Sequence, residues 1–333
     1  MEKTLLTLKN LTVSFKTDEG TVRAVEDVSF DIHSGEIVGL VGESGCGKSV
    51  TALSILRLIP SPPGKIESGK ILFKGTDLLT LKTESIRKIR GNAVSMIFQE
   101  PLSALSPLQR IGQQMSEILL LHRDMSKKAA WQISQEWLEK VKIPDAAERM
   151  YAYPYQLSGG MQQRIMIAMA LMLNADLIIA DEPTTALDVT IQAQIFHLIR
   201  EMKRERTAIL LITHDMGVVW EMCDRILVMY ASSVVEEGRV REIFTKPAHP
   251  YTMGLLKSIP RLSDGTGGLL DTIPGMVPSP GNYPSGCRFR DRCVYAFDRC
   301  ENEMPELTAV SDGHHAACFI AGKIGTWSDG VME

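Results

Sequence analysis

Over the first part of the chain apolar positions alternate with polar ones: Leu6 and Leu8, then Leu11, Val13 and Phe15, then Val22, Ala24 and Val25, then Val28, Phe30 and Ile32. A period of two marks strands with one buried face. Polar turns such as Asp18-Glu19-Gly20 separate the runs, so residues 4 to 41 predict an antiparallel sheet that leads into the continuous apolar run Ile37-Val38-Gly39-Leu40-Val41. Residues 60 to 80 read as a loop and a short hairpin, and Ala93 to Phe98 as a buried strand that stops at Gln99-Glu100-Pro101. From Ile111 to Val141 the period becomes helical, with Ala129, Ile133, Trp137 and Val141 on one face and Trp131 and Trp137 as packing residues. Ser158, followed by Gly159 and Gly160, has the chemistry of an N-cap ahead of the helical run Ile165 to Leu173.

Leu177-Ile178-Ile179-Ala180 is apolar throughout, as a central parallel strand is, and ends in Asp181-Glu182. A helix through Ile191, Ile195, Leu198 and Ile199 leads to a second such strand, Ala208 to Ile212, which ends in Thr213-His214-Asp215. Residues 226 to 229 and 233 to 238 form a closing hairpin, followed by a helix near Arg239 to Phe244. After Pro260 the composition shifts to Gly, Pro and Ser, which places a boundary near 250 to 265 and divides the chain into 1–255 and 256–333. The expected fold class is α/β, with a helical part at about 100–165.

The strongest chemical signal is Gly42-Glu43-Ser44-Gly45-Cys46-Gly47-Lys48-Ser49, which fits G-x-x-x-x-G-K-[ST]. It stands between an apolar strand and the helix-like Thr51 to Leu56, the order a phosphate cradle requires. Glycines let successive backbone N–H groups turn toward phosphate, the helix N-terminus adds its positive end, Lys48 supplies a cation and Ser49 a magnesium ligand. Asp181 has the chemistry to hold the magnesium water shell and Glu182 to polarise a water in line with a γ-phosphate. Gln99, at a strand end, reads either as a contact to metal or water or as a plain polar loop residue. Phe15 reads equally as a platform for an adenine ring or as a strand phenylalanine. The capped helix at Ser158 is, on chemistry alone, an ordinary one. His214 reads as catalytic, because two other strand ends already carry phosphate chemistry.

The chain has 333 residues, 44% hydrophobic and 23% charged, which is ordinary for a folded protein. A net charge of −4 gives no reason to expect nucleic acid. The longest apolar stretch, Ile165 to Ala180, is broken by Asn174 and Asp176, so the chain is not expected to cross a membrane by itself. Met1-Glu2-Lys3-Thr4 lacks a secretory pattern, which makes the cytoplasm the expected compartment. Four of the six cysteines, Cys287, Cys293, Cys300 and Cys318, cluster in the tail. In a cytoplasmic chain such a cluster reads as a metal or cluster site rather than a disulfide framework.

Together these motifs resemble the ATP-binding subunit of ABC transporters. Residues 42 to 49, Gln99, Leu157-Ser158-Gly159-Gly160-Met161-Gln162-Gln163-Arg164, Asp181-Glu182, Ala186-Leu187-Asp188 and His214 are similar to that family's phosphate loop, Q-loop, signature, strand-end carboxylates, D-loop and switch histidine. The resemblance implies a RecA-like ATPase core with an antiparallel β-subdomain and a helical subdomain, plus a small irregular cysteine-rich extension. The stretch 180–190, Phe98 to Pro101 and His249-Pro250-Tyr251-Thr252 resemble its oligopeptide/dipeptide importer branch. So does Cys287-x5-Cys293-x6-Cys300-x17-Cys318, whose equivalents there bind a 4Fe-4S cluster; spacing alone leaves zinc equally open.

The resemblance implies ATP and magnesium as ligands, held by Phe15, residues 42 to 50 including Val50, Gln99, Asp181 and Asp188, with Ser158, Gly159, Gly160 and Gln162 serving a partner's nucleotide. Ser49, Gln99 and Asp181 are its magnesium residues, and Glu182, His214 and Lys48 its catalytic ones. It implies pairing with a second, usually different, ATP-binding subunit, docking on two membrane permeases, and an extracytoplasmic solute-binding protein. The place so implied is the cytoplasmic face of the inner membrane, as a peripheral subunit. The expected function is ATP hydrolysis that energises import of di- or oligopeptides, with a nickel chelate or antimicrobial peptide as alternative solutes. Tandem cassettes or a coiled-coil insertion, neither of which this sequence has, would instead mark a soluble mechanochemical ATPase, and intact Glu182 and His214 argue against a metal sensor with a merely structural nucleotide. Three departures from the branch stand out: Val50 for Thr, Ser106 for Asn, and Ser232-Ser233 for a turn containing Gly.

Overall fold

The computed structural model describes residues 3–184, 189–259 and 272–323. Packing divides the chain into two units, Met1–Thr80 with Leu211–Glu333, and Leu81–Leu210.

The first unit opens with the long hairpin β1 (Thr4–Thr17) and β2 (Gly20–His33), paired Leu8 to Phe30, Leu11 to Val28 and Val13 to Val25. Leu6, Leu8, Leu11, Val13, Val25 and Val28 are all buried, as the alternation predicts. The register shifts beyond Leu8, where Asn10 takes a positive φ and its Nδ2 donates to Asp27 Oδ1 at 2.7 Å. Strand β3 (Ile37–Val41) is buried at every position and runs into the loop before α1 (Lys48–Ile55). Strand β4 (Gly64–Phe73) pairs with the other edge of β1, and β5 (Thr76–Asp77) completes a sheet ordered β2-β1-β4-β5.

The second unit holds α2 (Thr83–Ile89), β6 (Val94–Ile97), α3 (Pro101–Ala104), α4 (Ile111–His122), α5 (Lys127–Lys140), α6 (Ala146–Arg149), α7 (Gly159–Leu171), β7 (Leu177–Asp181) and α8 (Val189–Met202). Strands β6 and β7 are parallel, Ile97 opposite Ala180. The run expected to be helical from 111 to 141 is two helices, with Ser126 capping the second by accepting from Ala129 N at 3.2 Å. The buried face of α5 is Ala130, Ser134, Trp137 and Leu138, while Ala129 and Ile133 are only half-buried, so the stripe sits about one position from the expected one. The reason is a buried serine: Ser134 Oγ donates to Ala130 O at 2.7 Å and meets Ser116 Oγ at 3.3 Å, and its lost hydration is thereby made good. Trp131 packs on Gly112, where a Cβ would lie 2.6 Å from the indole.

The boundary between the units falls within β8 (Ala208–Ile212). Beyond it the first unit resumes with α9 (Met216–Met222), β9 (Arg225–Tyr230), β10 (Ser233–Arg239), α10 (Val240–Thr245), α11 (Pro250–Lys257), α12 (Asp298–Asn302), β11 (Thr308–Ser311) and β12 (His314–Ala316). Strand β9 pairs in parallel with β3, Val228 opposite Val41, and β10 closes a hairpin on β9. The tail joins this sheet: β12 pairs with β10, Ala316 opposite Glu236, and β11 pairs with β12. The extension expected to be irregular therefore contributes two short strands, too brief to show as an alternation in sequence. The expected boundary at 255–256 falls inside α11.

Candidate nucleotide-phosphate site and cysteine pocket

The loop from 42 to 47 owes its shape to glycines. Gly42, Gly45 and Gly47 have φ of 148°, 81° and 108°, the region that side chains disfavour. A Cβ on Gly42 would lie 2.2 Å from Met229 O, and one on Gly47 2.3 Å from Ala24 O, so two neighbouring backbones leave room for nothing larger. Lys48 is 5% exposed, and its Nζ donates to Gly42 O at 2.7 Å and Glu43 O at 3.0 Å. The ammonium thus closes a ring over the loop. Ser44 and Gly45 are exposed at its tip, while Ser49 and Val50 are half-buried in the first turn of α1. Cys46 is buried beneath the loop, and burial pushes its thiol up against the opposing pull of Lys48. Phe15, half-buried on β1, lies opposite Val22 and Gly64. His214 is exposed, immediately ahead of Asp215, whose Oδ1 caps α9 by accepting from Gly217 N at 2.8 Å and Val218 N at 3.2 Å.

In the second unit Asp181 ends β7 at 5% exposure, and Glu182 follows with a φ of 44°. A glutamate held in the left-handed region costs about 1–2 kcal/mol, strain of the kind that collects at functional positions. Gln99, past the end of β6, donates from Nε2 to Glu182 Oε2 at 3.2 Å, which brings together two residues singled out separately in the sequence. Ser158 Oγ caps α7 by accepting from Met161 N at 3.4 Å, and Ser158 and Gly159 are exposed. Gln162 is turned inward: its Nε2 donates to Pro154 O at 2.9 Å and Leu157 O at 3.1 Å. The helix face presented to solvent is therefore that of Ser158, Gly159 and Gly160, and the Gln162 amide serves its own chain. Asp188, with the rest of 185–188, lies outside the described residues.

Sequence patterns left out a set of residues in the first unit. Glu236, 0% exposed on β10, accepts from Ala248 N at 2.6 Å, His249 N at 3.0 Å and the Nε2 of His314, from β12, at 2.8 Å. Burial holds the His249 imidazole down at about 4, so it is neutral, and its Nδ1 accepts from Tyr251 N at 3.0 Å. Arg292 and Tyr251 both reach Glu43 of the phosphate loop. Of these only His249 and Tyr251 stood in a stretch that the sequence singled out, and nothing there linked them to the phosphate loop. At the turn where Ser232-Ser233 was expected to depart from the branch, Ala231 and Ser232 take φ of 44° and 68°, and Ser232 Oγ accepts from Arg288 at 2.6 Å, which supports the strained backbone.

Cys287, Cys293, Cys300 and Cys318 line a single pocket together with Phe289, Phe297 and Phe319. Burial raises the thiols of Cys287 and Cys293, and pushes that of Cys318 up to about 11 against a hydrogen bond from Ile320 N, with the other three sulfurs adding to the rise. Four thiols in an apolar pocket suit a cationic group that takes thiolates. Among the described residues no group of three or more His, Cys, Asp or Glu side chains is spaced to hold a metal ion, so the spacing of the four thiols supports neither the expected cluster nor zinc.

A family model described as ABC transporter matches residues 25–185, and one described as oligopeptide/dipeptide transporter, C-terminal region, matches 235–300. The oligopeptide transport ATP-binding protein OppD of Salmonella typhimurium is 48% identical over 95% of this chain and 93% of its own length. The chain belongs to the ABC transporter ATP-binding proteins. This ABC protein is also 50% identical to the dipeptide transport ATP-binding protein DppD of Bacillus subtilis, over 96% of this chain and 95% of that one. Among solved structures, the dimeric post-hydrolysis state of the ATP-binding cassette MJ0796 bound to ADP and Pi matches 71% of this chain and 99% of that chain, with TM-score 0.64 and 29% identity. The fold is that of an ABC ATPase cassette, as the motif order implied. No described helix is long and apolar enough to cross a membrane.

Proposed function

We propose that this ABC protein hydrolyses ATP to energise peptide import, acting as a peripheral subunit at the cytoplasmic face of the membrane. It pairs with a second ATP-binding subunit, usually a different chain in this branch, and docks on two permeases served by an extracytoplasmic solute-binding protein. The observation that carries the reading is Glu182 at the end of an apolar strand, strained and bonded to Gln99. Exposed apolar side chains on the second unit, Leu102, Leu108, Leu121 and Tyr155, support a docking surface there.

Glu182 is the general base for the attacking water and His214 contacts the γ-phosphate. Lys48 and the loop amides of residues 42 to 49 other than Glu43, whose N–H is taken by Tyr251, neutralise phosphate charge, while Val50 and Phe15 bound the nucleotide. The Ser49 hydroxyl and the Asp181 carboxylate are hard oxygen donors of the kind magnesium takes, and Gln99 senses what sits beside Glu182. Ser158, Gly159 and Gly160, with Gln162 behind them and Asp188 beyond the described residues, face the nucleotide of the paired subunit.

The decisive test is Glu182→Gln in the assembled transporter. ATP binding is retained and turnover falls on the order of a hundredfold or more; unchanged turnover removes the general base. For the tail, Cys287, Cys293, Cys300 and Cys318 hold a 4Fe-4S cluster, whose thiolate ligation offsets the charge that the pocket otherwise disfavours. Anaerobically purified protein then contains iron and sulfide and absorbs in the visible range, and Cys293→Ser with Cys300→Ser bleaches it. Stoichiometric zinc without iron overturns the cluster.

A further inference from the structure

The segment Arg288-Phe289-Arg290-Asp291-Arg292 between two of the pocket cysteines carries three arginines with different destinations. Arg290 turns back on the tail and donates to Ser285 O and Glu301 O, both at 2.8 Å. Arg292 clasps Glu43 of the phosphate loop with two parallel bonds, Nη1 to Oε2 at 2.7 Å and Nη2 to Oε1 at 3.0 Å. Its side chain is 5% exposed, anchored by Nε to Pro274 O at 2.9 Å and lying 5.8 Å from the Tyr230 ring. The backbone N–H of Glu43 donates to Tyr251 Oη at 2.8 Å. Tyr251 packs on Tyr230 and Phe289, with ring centroids 4.7 and 5.5 Å away, and Phe289 lines the cysteine pocket. Arg288 adds a third path, through Ser232, whose N–H donates to Cys46 O at 3.1 Å.

A guanidinium fork fixes both the position and the direction of a carboxylate, and a buried one left without its partner is costly. Glu43 is held by carboxylate and amide at once, so the loop cannot change shape unless these bonds shift. We infer that Arg292 and Tyr251 are positioning residues of the phosphate loop, and that through them the packing of the cysteine pocket sets how tightly the loop takes a nucleoside triphosphate. This rests on the nucleotide reading given under Proposed function. Because coupling between two sites is reciprocal, nucleotide on the loop in turn disfavours opening of the pocket.

The test uses the full chain, titrated with a fluorescent ATP analogue and magnesium. Arg292→Gln weakens binding on the order of tenfold. Tyr251→Phe keeps the ring and loses one hydroxyl bond, and weakens it roughly threefold. The double variant Glu43→Gln, Arg292→Gln binds no more weakly than Arg292→Gln, since the shared interaction is already gone. In a parallel measurement, the full chain is first stripped of any iron by a chelator so that the tail thiols are free, and mass spectrometry after iodoacetamide treatment shows Mg-ATP slowing their alkylation in the wild type and not in Arg292→Gln. Wild-type affinity in Tyr251→Phe together with unchanged thiol protection in Arg292→Gln overturns the inference; if Arg292→Gln does not fold, wild-type affinity in Tyr251→Phe does so alone. A wild-type chain that binds no nucleotide at all overturns the nucleotide reading instead.

Discussion

In the first unit the phosphate loop is tied down wherever it meets protein: Lys48 to its own carbonyls, Glu43 to Arg292 and Tyr251, Cys46 O to Ser232. In the second unit Asp181 and the Gln162 amide are buried as well, but the Gln99–Glu182 bond is exposed and Ser158 stands at the solvent-facing start of α7. The difference corresponds to two ways of meeting a ligand. A loop that surrounds phosphates gains by having its amides oriented before the ligand arrives, so that no ordering cost falls on binding. Residues that must respond to other chains gain by staying exposed, because a group already buried in its own unit has nothing left to offer a partner.

The largest effect that sharpens this contrast is at Glu182. Glu182→Gln removes a chemical step and leaves the preformed loop intact, so turnover collapses while nucleotide affinity stays within about threefold of wild type, as expected when an interaction used only in the transition state is lost. A matching loss of affinity would mean that the second unit shapes the loop as strongly as the tail does.

Next in size is Glu236→Gln. An amide cannot accept from Ala248 N, His249 N and His314 Nε2 together, and leaving one buried donor unpaired costs about 2–3 kcal/mol. Thermal unfolding then moves down by roughly 5–10 °C. A melting point unchanged within error would show that the tail is not a structural part of the first unit.

The smallest expected effect is Ser158→Ala, which removes one long cap bond and costs about 0.5–1 kcal/mol. Nucleotide affinity of the isolated chain stays unchanged, and ATPase activity of the assembled transporter falls. Equal activity in the assembly would leave Ser158 as a helix cap and nothing more.

Much of this was legible in sequence where the signal is local. The alternation through Leu6, Leu8, Leu11 and Val13 reports one buried face, and the glycines at 42, 45 and 47 report a loop with no room for Cβ atoms. The face of α5 was displaced because Ser134 is buried through hydrogen bonds, which hydrophobicity does not register. Gln162 has the composition of a ligand residue, and only its two inward bonds reveal that its amide is engaged. The clasp of Arg292 on Glu43 joins positions 249 residues apart, and no spacing rule operates over such a distance.

The sequence by itself determined the family, the phosphate loop with Lys48 and Ser49, the carboxylates after an apolar strand and the presence of four tail cysteines, because each is a short pattern whose geometry is set by neighbours along the chain. Only the tertiary structure decided that the tail adds strands to the sheet beside β10, that its cysteines share one pocket, and that its arginines and Tyr251 hold the phosphate loop. Those outcomes depend on which distant groups can satisfy a buried carboxylate or guanidinium, and that is settled by packing in three dimensions.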